Sequence, residues 1–174
     1  MEATLVAAPA HVFLAELHEE VPQTRRVFER APIAQLDWQP HAKSMTLGQL
    51  LRHTADVIGW IKDTLESTDL DVSAFDNAVT TPIGSTAELL AYLEERAAAA
   101  RAGLQAATAD DLEQIWTMRS GEQVLVRQSR ASVVRHLLSQ MIHHRGQLTV
   151  YLRLLDVPVP GPYGPSADEQ NWPG

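Results

Sequence analysis

The sequence predicts an all-α protein, a four-helix bundle whose helices are joined by long crossover connections. Three observations lead to this fold class. Four segments carry apolar residues at helical spacing, two of them open on a capping signature, and the second and third connections are long. The chain of 174 residues is long enough for one core, so a single domain is expected over residues 1–174.

The first two helices are expected over residues 11–30 and 46–66. In the first, five apolar side chains share one face: Val12, Phe13, Leu17, Val21 and Phe28. Pro22 lies inside this segment and predicts a kink or a break, because proline removes a backbone donor. Thr46 opens the second helix, and Gln49 stands three residues later as its capping-box partner.

The third helix is expected between Ser85 and Ala107. Ser85 and Glu88 repeat the capping signature ahead of an alanine-rich run. After this helix, residues 112–126 predict a short β-hairpin, because apolar side chains stand on both sides of a Ser-Gly turn.

The last helix is the longest and the most strongly periodic, from about Arg130 to Leu155, and a proline stops it. A Pro/Gly-rich tail over residues 158–174 is expected to run across the surface. Tyr163 and Trp172 are expected to pack part of this tail against the helices.

Composition excludes several classes of partner. Fourteen basic and twenty-two acidic side chains give a net charge of -8, whereas nucleic acid and anionic membranes attract a concentrated positive surface. The absence of cysteine excludes disulfides and thiolate metal ligands. No apolar stretch approaches the roughly 20 residues of a membrane span, and no secretion signal is recognisable. We therefore expect a cytoplasmic protein with no nucleic-acid and no membrane partner.

Two histidines stand within apolar helix faces. On a helix that advances about 100° per residue, five apolar residues fall within about 40° of His144: Val133, Leu137, Leu148, Tyr151 and Leu155. His53 lies three residues after Leu50 and four before Val57, so it shares their face. A buried imidazole must satisfy both ring nitrogens. Either the two histidines bind one metal between facing helices, or they are core residues that hydrogen-bond to side chains or to each other.

Three stretches resemble the DinB family of DinB/YfiT-like metalloenzymes. Residues 140–166 (QMIHHRGQLTVYLRLLDVPVPGPYGPS) resemble its C-terminal signature. Residues 37–40 (DWQP) and 44–53 (SMTLGQLLRH) look like its lead into the second helix. The resemblance covers nearly the whole chain and keeps the order of its parts.

The resemblance implies a four-helix bundle, usually a homodimer, in which three histidines bind a divalent metal. By position, the ligand from the second helix is His53, and the later ligand from the last helix is His144. The earlier ligand of the last helix should stand at position 140, where this chain has Gln140. This is a departure from the family pattern.

Three interpretations of Gln140 remain open. Its amide oxygen could ligate the metal, although amides are poorer zinc ligands than imidazole. It could instead hold a metal-bound water, which would leave two protein ligands and a weakly bound ion. Alternatively, the site is degenerate and empty. The metal itself is expected to be zinc, nickel or iron.

Other polar residues are expected around these ligands. Asp56 follows His53 by three residues and could orient its ring, and Tyr151 could offer a hydroxyl group to the pocket. His143 is expected beside the ligands or on the surface. A solvated helix face for Asp56 and core packing for Tyr151 are the ordinary alternatives. Arg145 is expected to pair with an acidic group of a neighbouring helix or of a second subunit.

The resemblance implies a metal-dependent enzyme, because DinB-like relatives include thiol-dependent transferases and isomerases. For this chain it implies a transferase or hydrolase that acts on small electrophiles, with a low-molecular-weight thiol as partner. The sequence does not assign catalytic residues. The alternative is a non-catalytic metal-binding or stress-induced helical protein with a degenerate site, and a third interpretation is a dimerisation module without a small-molecule site.

Overall fold

The computed structural model describes residues 10–74 and 83–170, and this part of the chain is mostly helical. It contains five α-helices and one sheet of three strands. The helices are α1 (Ala10–Glu29), α2 (Leu47–Glu66), α3 (Thr86–Ala106), α4 (Ala109–Glu113) and α5 (Arg130–Leu154). The strands are β1 (Asp69–Asp71), β2 (Ile115–Ser120) and β3 (Gln123–Ser129).

The four long helices, α1, α2, α3 and α5, share one core. α2 packs against both α3 and α5, and α1 packs against the same two helices. Each contributes fully buried leucines, among them Leu17, Leu51, Leu93 and Leu138. Each buried leucine stabilises the fold by about 1.5–3 kcal/mol relative to exposure, so this core holds the helices that carry the histidines. Within the two described ranges, no helix combines the length and the apolar content needed to cross a membrane.

Side-chain caps fix where the helices begin. Thr46 and Gln49 form the predicted capping box at the start of α2, with both reciprocal hydrogen bonds present. Ser85 caps α3 by accepting a hydrogen bond from the backbone of Glu88, as predicted. Ser129 caps α5 in the same way. These caps satisfy backbone donors that lack partners within the helix.

Of the kink or break predicted at Pro22, the break is wrong, because α1 runs as one helix through this position. Proline cannot donate a hydrogen bond to the carbonyl group four residues earlier, that of His18. Both His18 and Pro22 are exposed, so water can satisfy that carbonyl group. Packing of α1 against α3 and α5 then keeps the helix continuous.

The predicted hairpin is confirmed as the antiparallel pair of β2 and β3. Its turn contains Gly121, which has a φ of 58°, a left-handed conformation that favours glycine. The sheet has a third strand that the sequence did not predict, since β1 pairs in parallel with β2. The indole nitrogen of Trp116 also donates a hydrogen bond to the hydroxyl group of Ser67, 3.1 Å away. The sheet is thereby attached to the end of α2.

The tail after α5 is fixed to the helices by ion pairs. Asp168 pairs with Arg153 of α5, and Glu169 pairs with Arg26 of α1. Tyr163, expected to pack, donates a hydrogen bond to the carboxylate of Glu20 at 2.7 Å. Trp172, the other residue expected to pack, lies outside the described residues.

Candidate metal site

His53 and His144 meet where α2 packs against α5. The centroids of their imidazole rings are 4.7 Å apart, and the ring planes form an angle of 68°. Each side chain lies at the edge of the core and is half-buried. The structure therefore brings together the two histidines that the sequence singled out on separate helices.

Gln147 contacts one ring nitrogen of His144, and the other ring nitrogen has no hydrogen-bond partner among the described residues. Nδ1 of His144 lies 2.8 Å from the amide oxygen of Gln147, one turn further along α5. A carbonyl oxygen only accepts hydrogen bonds, so this contact suits the neutral tautomer that carries its proton on Nδ1. In that tautomer Nε2 carries a lone pair, and Nε2 is the buried atom without a partner. Buried polar atoms rarely lack a partner, so Nε2 is a candidate position for a hydrogen-bond donor or a metal ion.

His53 is held in its neutral form. Burial lowers the pKa of its imidazole, the nearby His144 lowers it further, and Asp56 opposes both effects. The indole ring of Trp60 packs edge-on against the imidazole of His53, with centroids 5.5 Å apart. A neutral imidazole is the form that binds a metal ion.

Gln140 lies on α5 one turn before His144 and is half-buried. Its amide nitrogen is 3.3 Å from Nε2 of His136, a contact between side chains one helical turn apart. Within residues 10–74 and 83–170, no three His, Cys, Asp or Glu side chains are grouped closely enough to hold a metal ion. A third ligand from these two ranges would therefore have to be a residue of another type, such as Gln140.

The comparisons with known proteins agree with the fold. The family model described as "DinB family" matches residues 2–172. The chain belongs to the DinB family. It is 28% identical over 161 residues to the uncharacterized protein YrdA of Bacillus subtilis. The matched region covers 90% of this chain and 89% of YrdA.

Two solved structures of DinB-like proteins have the same fold. One, from Bacillus subtilis, has a TM-score of 0.66 at 16% identity, and the match covers 86% of this chain and 96% of that protein. The other, from Bacillus cereus, has a TM-score of 0.68 at 20% identity, and the match covers 87% of this chain and 95% of that protein. At these identities the likeness concerns the DinB fold alone.

The three residues expected around the metal ligands of this DinB protein differ in their exposure and in their hydrogen-bond partners. His143 is exposed, and its ring centroid lies 5.1 Å from that of His144. Asp56 accepts a hydrogen bond from the hydroxyl group of Tyr92 on α3. Tyr151 is buried, and its hydroxyl group donates to the backbone carbonyl of Met45 at 3.1 Å. Asp56 and Tyr151 therefore already have hydrogen-bond partners other than the two histidines.

Arg145 is a buried residue of the DinB signature, although it is charged. It is only 1% exposed. It pairs with Glu20 of α1 at 2.6 Å, so the expected acidic partner on a neighbouring helix is present. Leu138, Met141 and Leu152 lie on the same side of α5 and are also buried, which displaces the centre of the buried face towards Arg145. These three apolar residues were the signal in the sequence.

Proposed function

We propose that this DinB protein is a divalent-metal-dependent enzyme, a thiol-dependent transferase or a hydrolase that acts on small electrophiles. His53 and His144 are its imidazole ligands, and Gln140 occupies the third position, either directly or through a water molecule. One observation carries the proposal. Nε2 of His144 is buried without a hydrogen-bond partner among the described residues, and the centroid of its ring lies 4.7 Å from that of the His53 ring.

The donor atoms of the site suit a metal ion that is bound weakly. Gln147 fixes the ring of His144 through Nδ1, as outer hydrogen bonds do for metal-binding histidines. Two imidazoles and one amide bind zinc, nickel or iron less tightly than three imidazoles, because the amide oxygen is the weaker donor. We expect an exchangeable ion with an open coordination position.

A bound divalent ion would lower the pKa of a thiol or water molecule and so supply a nucleophile near neutral pH. The residues of the chain hold the site in place. α2 and α5 fix the two imidazoles against each other, and the edge of Trp60 covers the ring of His53. As a whole, we propose a crossover four-helix bundle that acts in the cytoplasm as a homodimer during stress.

The proposal predicts metal binding that depends on both imidazoles. Protein stripped with a chelator and reconstituted with zinc, nickel or iron should hold about one equivalent per chain by elemental analysis. His144→Ala should abolish this binding, and Gln140→His should tighten it because imidazole replaces an amide. The matched control is His18→Ala, since His18 is an exposed histidine on α1.

A wild-type protein that holds less than about a tenth of an equivalent after reconstitution would remove the proposal. Equal metal affinity in wild type and Gln140→His would show that residue 140 does not face the ion. Loaded wild type should also consume a small electrophile in the presence of a thiol, and His144→Ala should not.

A second candidate function is non-catalytic, a metal-binding or stress-induced helical protein with a degenerate site. The contact of Gln140 with His136 favours it, because the amide nitrogen then has a partner other than a metal-bound water. The same measurements separate the two candidates. Metal binding without turnover of any thiol and electrophile pair would support the non-catalytic protein.

A further inference from the structure

A cluster of charged and aromatic side chains lies between α2 and α3, next to His53. The guanidinium groups of Arg52 and Arg96 lie 4.8 Å and 4.9 Å from the ring centroid of Tyr92. Nη2 of Arg96 donates a hydrogen bond to the hydroxyl oxygen of Tyr92 at 3.0 Å. The hydroxyl group of Tyr92 in turn donates to Oδ1 of Asp56. Two cations and one carboxylate thus surround one phenol ring.

The position of Arg96 depends on a glycine. A Cβ atom at Gly59 would lie 2.8 Å from Cδ of Arg96, so the side chain of Arg96 crosses α2 where a methyl group is missing. Nε of Arg96 lies 3.4 Å from Oδ1 of Asp56, within ion-pair distance. Nevertheless, Nε is a buried atom without a hydrogen-bond partner in the described structure. Asp56 therefore balances the charge of Arg96 without satisfying its donors.

The cluster is continuous with the candidate metal site. Asp56 stands three residues after His53 and four before Trp60, and side chains at these spacings are neighbours on a helix surface. Trp60 contacts His53 directly, and its residue is 40% exposed. Asp56 is thus a neighbour of His53 along α2 and the ion-pair partner of Arg96 on α3.

We propose that Arg96, held on Tyr92, binds a carboxylate group of the small molecule on which the His53–His144 site acts. The inference rests on the proposed function for the role of that site. A guanidinium presents several N–H donors in a plane that matches the two oxygens of a carboxylate. The hydrogen bond to Tyr92 uses one of the five donors of Arg96, and the side chain of Arg96 is 38% exposed. The exposed indole of Trp60 gives the same ligand an apolar contact.

The experiment compares 3-phenylpropionate with 3-phenylpropionamide, which has a similar shape and no charge. Binding is measured by titration calorimetry on the full chain, both metal-free and loaded with zinc. Wild type should prefer the acid by at least about tenfold. Arg96→Gln should bring the two ligands within about twofold of each other, and Arg96→Lys should fall between because it keeps the charge and loses the planar fork.

Asp56→Asn separates ligand binding from a structural role of the cluster. The carboxylate of Asp56 competes for Arg96, so its removal should tighten binding of 3-phenylpropionate by several-fold while the amide is unaffected. If the cluster only fixes α3 against α2, the same variant should bind the acid equally or more weakly. Thermal unfolding of each variant verifies that it is folded.

The outcomes distinguish this inference from the proposed function. Equal affinity of wild type for the acid and the amide overturns the inference, as does an unchanged preference in Arg96→Gln. Preference for the acid in metal-free protein, together with no metal bound after reconstitution, supports the carboxylate site and removes the metal-dependent function. Metal binding without preference for the acid leaves the metal-dependent function standing and overturns the carboxylate site.

Discussion

Arg145 is the largest fully buried side chain in the described part of the chain. Its guanidinium pairs with Glu20, donates to the backbone carbonyl of Glu20 at 3.0 Å and to the hydroxyl group of Thr24 at 3.3 Å, and contacts the hydroxyl group of Tyr163. The ring of Tyr163 also lies 4.9 Å from this guanidinium. A buried charge costs several kcal/mol to desolvate, and these partners together offset that cost.

Replacement of Arg145 should therefore be strongly destabilising. Arg145→Ala leaves the carboxylate of Glu20 buried without its cation, which should lower the free energy of unfolding by about 3–5 kcal/mol. Arg25→Ala is the matched control, because Arg25 pairs with Glu29 on the same helix α1 with both side chains almost half exposed. That variant should cost less than about 1 kcal/mol.

Urea denaturation followed by circular dichroism measures both changes. A cost for Arg145→Ala no greater than that for Arg25→Ala would contradict the account of a buried, mutually dependent ion pair.

At the scale of residues, the sequence was informative where a polar side chain interrupts an apolar pattern. His53 and His144 were found in this way, and their rings lie together in the structure. Glu20 was missed. Acidic residues are almost always exposed, and only the tertiary contact with Arg145 accounts for the burial of this one.

Two glycines of the long helices have opposite surroundings. A Cβ atom at Gly146 of α5 would meet nothing within 4 Å. A Cβ atom at Gly103 of α3 would lie 3.2 Å from Cα of Lys62, in the backbone of α2. The backbone of α2 cannot move as a side chain can, so Gly103 allows the close approach of α2 and α3.

Alanine at these two positions should change stability in opposite directions. Gly146→Ala should raise the free energy of unfolding by about 0.5–1 kcal/mol, because alanine restricts the unfolded chain and favours the helix. Gly103→Ala gains the same helix preference but must push α2 and α3 apart, so its net effect should be destabilising. Thermal or urea unfolding of the two variants provides the measurement, and equal stabilisation of both would refute the close approach.

At the scale of elements, local chemistry predicted the starts of the helices well. The side chains of Thr46 and Ser85 form their caps with residues three positions away, so a short stretch of sequence contains the whole interaction. β1 could not be predicted in the same way. It has three residues, and its partner β2 stands almost fifty positions later, with Asp69 opposite Thr117.

The stability of the metal-free protein should depend on pH through His53. The pKa of its imidazole is lowered in the folded state, mainly by burial, from an ordinary value of 6.5 in the unfolded chain. The unfolded state therefore binds the proton more readily, and the contribution of neutral His53 to stability is present above pH 6.5 and lost as the pH falls below it. Asp56 reduces this effect without reversing it.

Urea denaturation at several pH values above and below 6.5 tests this expectation on wild type and His53→Asn. Asparagine does not titrate in this range, so the stability of the variant should fall less on acidification than that of wild type. Parallel pH profiles for the two proteins would show that His53 binds protons equally in both states.

The whole-molecule arrangement of the helices has a consequence for synthesis. The main helical partners of α1 are α3 and α5, so α1 packs partly against a helix that is synthesised much later. Until α5 has emerged, Glu20 has no guanidinium to accompany it into the interior. In a nascent chain arrested before residue 145, the part of α1 that faces α5 should therefore stay undocked and open to chaperones until translation passes that codon.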